Sequence, residues 1–166
     1  MWSFDKRPKI RTTAFIYREA AKVFEANYTG GLRSIVREAG FPNVAEVELV
    51  AFRFWMTLAA ASLAKLPDGT QRGLWLSVFE QSERNHGLGW RQSLEEATVE
   101  YLHLTQKDLG RARGAQLLPD TMSFALQRLV SASDETVVYL RMALLQTALG
   151  VIKSETQFFR DIQLVS

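Results

Sequence analysis

From Leu49 to Leu66 the chain reads LVAFRFWMTLAAASLAKL, apolar on every side of a helix except at Arg53 near its middle. A surface helix carries an apolar stripe, whereas a helix apolar all round is enclosed by protein or by lipid. Lipid is disfavoured, because Arg53 at membrane depth costs about 2.5–3.5 kcal/mol on insertion scales and the sequence offers no second span. The pattern therefore predicts an all-α single domain, an orthogonal or bundle-like array of six to seven helices around a central helix at about 44–66.

Punctuation places the other helices. One is expected from about Thr13 to Tyr28, with a break at Thr29-Gly30-Gly31 and a short helix carrying Leu32, Ile35, Val36 and Ala39 at helical spacing. Gly40 ends it and Pro42 prevents its resumption. Asn43 with Glu46 reads as a capping box for the central helix, which stops at Pro67-Asp68-Gly69. A helix from about Thr70 ends at His86, with Gly87 as the αL residue and Leu88 as its apolar companion. Ser93 and Glu96 are expected to cap the next helix, which runs to about Leu109, and Asp120 starts another. Residues 110–119 have no helical period and read as a mobile loop.

The chain closes with a long helix at about 134–160. Val138, Met142, Leu145, Leu149, Ile152 and Phe159 recur at alternating spacings of four and three, with Thr156 in the one polar slot. Such a seam packs lengthwise against other helices. It is read as internal, with a homodimer interface as the alternative. No run alternates apolar and polar residues in a way that helical spacing does not explain better. Helix is therefore expected over more than two-thirds of the chain, with no sheet.

Length and charge narrow the picture. A chain of 166 residues can bury one substantial core without staples, and the absence of cysteine excludes disulfides and thiol chemistry. The net charge of +2 conceals an asymmetry: residues 1–22 hold Lys6, Arg7, Lys9, Arg11, Arg18 and Lys22 against Asp5 and Glu19. Residues 1–11 thus read as a basic arm in front of a single helical domain at 12–166. Trp2, Phe4, Arg7, Lys9 and Arg11 are the candidate partner-docking set on that arm; the alternative is a tail whose aromatics fold back on the bundle. No apolar stretch follows the basic residues as in a secretory signal, and a cytoplasmic protein is expected.

Candidate chemistry is sparse. The two histidines form Glu-x-x-His steps, Glu83 to His86 and Glu100 to His103, the spacing used by di-metal carboxylate bundles. Helical geometry sets His86 on an apolar arc and His103 on a polar one, at different heights, so the ligands do not converge and no metal or cofactor is expected. Nucleophile elbows, phosphate loops and zinc-protease signatures are missing. Asn85, His86, Trp90 and Arg91 share a tight interhelix corner and form one candidate binding set. Arg53 and Thr57 form another, because Glu46, Arg53 and Thr57 lie within about 40° of one another on the central helix. A covered guanidinium must be paired, which makes Arg53 either half of an internal ion pair or an anion or partner site.

The stretch LRSIVREAGF, residues 32–41, resembles the first half of a TetR-type helix-turn-helix, with Ile35 and Ala39-Gly40 at the matching places. Beyond the turn the chain departs from that pattern, since the following helix is apolar on all sides and opens with Glu46 and Glu48. The function expected from the sequence is a non-enzymatic helical binding or adaptor protein acting through protein–protein contacts. A small-ligand or metal-dependent helical enzyme and a nucleic-acid-binding protein are the alternatives.

Overall fold

A computed structural model of the chain describes residues 9–111, 117–132 and 137–165. About four-fifths of the described residues are helical. The order is β1 (Lys9–Thr12), α1 (Thr13–Ala21), a 3-10 turn (Lys22–Phe24), α2 (Ala26–Glu38), α3 (Glu46–Leu63), α4 (Asp68–His86), α5 (Leu88–Leu109), α6 (Pro119–Val130), α7 (Val138–Arg160) and β2 (Ile162–Val165).

The all-round apolar helix lies at the centre. Every residue of α3 from Leu49 to Ala61 is buried, Arg53 and Thr57 included. Helices α5 and α7 pack along it, and α2, α4 and α6 close the remaining sides. Trp55 stacks with Phe52 and with Tyr101 of α5, Phe52 lies tilted against the Tyr101 ring, and Phe124 of α6 meets that ring edge-on at 4.8 Å. Each large apolar side chain buried in this way contributes about 1.5–3 kcal/mol.

A buried polar chain runs through the same region. Trp55 Nε1 donates to Thr105 Oγ1 at 2.9 Å, and Thr105 donates to the Tyr101 carbonyl. Thr121 Oγ1 donates to Asp108 Oδ2 at 2.7 Å. Asp108 is fully buried and also accepts from the backbone N–H groups of Asp120 and Thr121. It therefore caps the first turn of α6 from α5, where unpaired amides and the helix dipole favour a carboxylate.

Several local expectations are corrected. The first helix is broken at Glu25, whose backbone is extended, and Thr29-Gly30-Gly31 lie inside α2. Thr29 is buried there beside α3, and burial of Thr29, Leu32 and Val36 outweighs the weak helix preference of the glycines. Asn43 caps nothing: α3 starts at Glu46, whose carboxylate is taken by Arg33 and by the Thr29 hydroxyl. Gly87 does have positive φ, 91°, but its ψ of 174° is extended rather than αL. The chain consequently turns at once into α5, so Leu88 is an exposed first residue of that helix. Ser93 sits one turn further on and bonds the Gly89 carbonyl instead of capping.

The expectation of no sheet is also corrected. β1 and β2 pair in parallel, Lys9 opposite Ile162 and Thr12 opposite Val165. Thr12 then caps α1 by accepting from Phe15 N at 3.4 Å. Four-residue strands carry too little pattern to be read from sequence, and their pairing depends on the two ends of the described chain meeting. The loop expected at 110–119 is partly outside the described residues.

The seam of α7 is the largest difference. Leu145, Ile152, Thr156 and Phe159 are internal, as expected, together with Leu140, Leu144 and Ala148. Val138, Met142 and Leu149 are exposed. The helix is rotated so that an i, i+4 row meets α3, leaving the other edge of the seam uncovered.

Candidate functional site

Arg53 is held at the meeting point of α2, α3 and α7. One turn along α3, Thr57 Oγ1 accepts from Arg53 Nη1 at 3.0 Å, and Glu155 Oε1 of α7 accepts from Nη2 at 2.5 Å. The guanidinium lies 5.4 Å from the centre of the Tyr28 ring, a cation–π contact from α2. Arg53 is thus internally paired, and Glu46 is not its partner. The other oxygen of Glu155, Oε2, is buried with no donor among the described residues. These side chains border a cavity of about 240 Å³, whose apolar wall includes Ile16, Val23 and Phe158 and whose rim includes Glu19. Glu19 pairs with Lys22 at 2.8 Å, which raises the Lys22 pKa.

The interhelix corner is a packed joint. The His86 and Trp90 rings stack with centroids 4.3 Å apart, and Phe24 of the 3-10 turn lies against both. Asn85 Oδ1 accepts from Gln81 Nε2. Arg91 donates to Glu83 at 2.6 Å and to Glu95 at 3.3 Å, and the Glu83 bond leads the causes that raise its pKa. Glu83, half of one Glu-x-x-His step, is therefore engaged by a cation. Among the described residues no group of His, Asp and Glu is placed to hold a metal ion. The structure does not join this corner to Arg53 and Thr57: one set sits between α4 and α5, the other between α2, α3 and α7.

Of the proposed arm, Trp2, Phe4 and Arg7 lie outside the described residues. Lys9 and Arg11 are in β1, where Arg11 is exposed, with its guanidinium over the Phe15 ring at 5.2 Å. The helix after the Gly40 turn, which would be the reading helix of a helix-turn-helix, is α3 itself, enclosed from Leu49 to Ala61.

A third feature was missed from sequence. Leu63 at the end of α3, Leu109 at the end of α5 and Leu149 in mid α7 are 50%, 54% and 41% exposed, and all three border one groove of about 280 Å³. Leu102 and Ile152 also line it. Lys153 and Arg160 stand along the same side of α7, beside Leu63 and Leu149, and no carboxylate among the described residues lines this stretch. Arg160 donates to the Leu63 carbonyl at 3.3 Å, and neither cation has a carboxylate partner among the described residues. The alternating seam of α7 was the one signal pointing here.

Comparison of the chain with protein-family models, curated proteins and solved structures gives no match. No described helix is long and apolar enough to cross a membrane.

Proposed function

We propose that the protein is a non-enzymatic adaptor that receives an acidic amphipathic helix of a partner protein in the groove between α3, α5 and α7. The observation that carries this reading is the convergence of Leu63, Leu109 and Leu149, exposed leucines from three different helices, on one groove. Single exposed apolar residues are ordinary, whereas a contiguous set lining a groove marks an interaction surface. A helix docks in such a groove through residues spaced i, i+3, i+4 and i+7. The charge at the groove specifies the partner: among the described residues Lys153 and Arg160 have no facing carboxylate, so acidic residues on the incoming helix complement them and an incoming cation is repelled. A second copy of this chain fits less well, because it would bring its own Lys153 and Arg160 to the same place.

The test is capture and identification of a partner, then reconstitution of the pair from purified components. Leu63→Asp and Leu149→Asp should each weaken the complex at least about tenfold, as loss of a central anchor does. Lys153→Gln with Arg160→Gln should slow association and remove most of its salt dependence, and Lys153→Glu with Arg160→Glu should invert that dependence, so that added salt speeds association. A partner retained at full affinity by both leucine variants would overturn the reading. So would a concentration-dependent dimer that Leu149→Asp dissolves.

A further inference from the structure

We propose that the cavity beside Arg53 is a second binding site, independent of the groove, for a small uncharged molecule whose flat head both donates and accepts hydrogen bonds, as a primary carboxamide does. Four segments build the cavity: α1 with the turn that follows it, α2, α3 and α7. The volume of about 240 Å³ is below the roughly 300–1,000 Å³ of sites for drug-sized ligands, so the occupant is a single ring or short chain with one head group.

Charge balance selects the head. Arg53 and Glu155 neutralise each other, and Glu19 at the rim is neutralised by Lys22. An anion would share Arg53 with Glu155 and be repelled by that carboxylate; an ammonium would share Glu155 with Arg53 and be repelled by the guanidinium. A neutral amide avoids both conflicts. Arg53 has five N–H groups, of which the bonds to Thr57 and Glu155 use two, leaving donors for an amide carbonyl. Glu155 Oε2 lacks a donor among the described residues, and a buried polar atom without a partner carries a desolvation cost that an amide N–H would relieve. Glu155 lines the cavity beside Arg53, so a carboxamide that bonds the guanidinium through its carbonyl meets that carboxylate with its N–H. The body of the ligand rests on Ile16, Val23 and Phe158.

Three ring compounds of nearly equal shape separate the cases: benzamide, benzoate and benzylamine, titrated into the full chain at pH 7 by calorimetry and followed by NMR. Benzamide should bind at millimolar concentration or below and perturb signals of Tyr28 and Phe158, with benzoate and benzylammonium at least about tenfold weaker. Glu155→Gln leaves the guanidinium without a counter-charge and should reverse the order, making benzoate the tighter ligand. Phe158→Ala, a change at an exposed wall residue, should weaken benzamide about tenfold in a chain that stays folded. Tightest binding of benzoate to the unaltered chain, or no binding of any of the three, overturns the inference. Leu149→Asp should leave benzamide binding unchanged, which separates this site from the adaptor groove.

Discussion

The ring of Tyr17 in α1 occupies the space where Gly73 of α4 would otherwise carry a side chain: a Cβ built there would overlap the tyrosine hydroxyl and the end of its ring. Helices α1 and α4 therefore approach closely at this point, and glycine is what admits the aromatic ring. Taken alone, alanine in a helix interior is preferred to glycine by about 0.5–1 kcal/mol. Here the contact reverses that preference. Gly73→Ala should destabilise the protein by about 1–3 kcal/mol, the range for overpacking. In a Tyr17→Ala background the same change should stabilise it. A double-mutant cycle from denaturant midpoints reads both signs, and a stabilising Gly73→Ala in the unaltered chain would contradict the close approach.

Two hydroxyls in the core have opposite expected effects. The Tyr101 hydroxyl is buried without a partner among the described residues, and desolvation is the main cause pushing its pKa above the usual tyrosine value. Tyr101→Phe removes an unsatisfied group and keeps the ring among Phe52, Trp55 and Phe124, so stability should stay level or rise. Thr105→Val, by contrast, deletes the acceptor of Trp55 Nε1 and should cost about 1–3 kcal/mol. Equal losses for the two variants in urea titration would refute the assignment.

Leu58 lies on the central helix and is 3% exposed. Leu58→Ala should cost about 2–5 kcal/mol, as cavity-forming truncations do. A shift below about 0.5 kcal/mol would place α3 against something other than its own core.

Asp120 links α5 to α6 through Lys107 at 2.9 Å and Arg111 at 2.8 Å, and the Lys107 bond leads the causes that lower its pKa. A carboxylate with a depressed folded-state pKa stabilises the fold fully above its unfolded value, near 3.9, and loses that contribution as pH falls through the folded value. Asp120→Asn should therefore lower the urea midpoint at pH 7, and the gap to the parent chain should narrow as pH drops below about 4. A gap that widens in acid would reverse the sign of this linkage.

The position of α3 was legible because an all-round apolar helix has one stable location in a water-surrounded fold, the middle. Helix ends were legible where the backbone itself is restricted, as at Gly40 with Pro42, at Pro67 and at Pro119. Caps were legible only in part. Asn43 and Ser93 fit capping patterns, yet Glu46 is drawn to Arg33 and Ser93 lies within a helix that begins at Leu88. Choices of this kind are settled by competition between neighbours that no local window contains.

What the sequence determined by itself is the set of faces: an enclosed helix, an apolar seam on α7, a guanidinium that had to be paired. What covers each face was decided by the tertiary structure. Glu155 reaches Arg53 from 102 residues away, Asp108 caps a helix that begins beyond a loop, and the two strands meet only because α1 and α7 bring them side by side. Which edge of the α7 stripe stays open depends on a rotation of that helix against α3. Periodicity reports the local geometry of one segment, whereas pairing and helix rotation follow from how several segments share one core, and that information is spread over the whole chain.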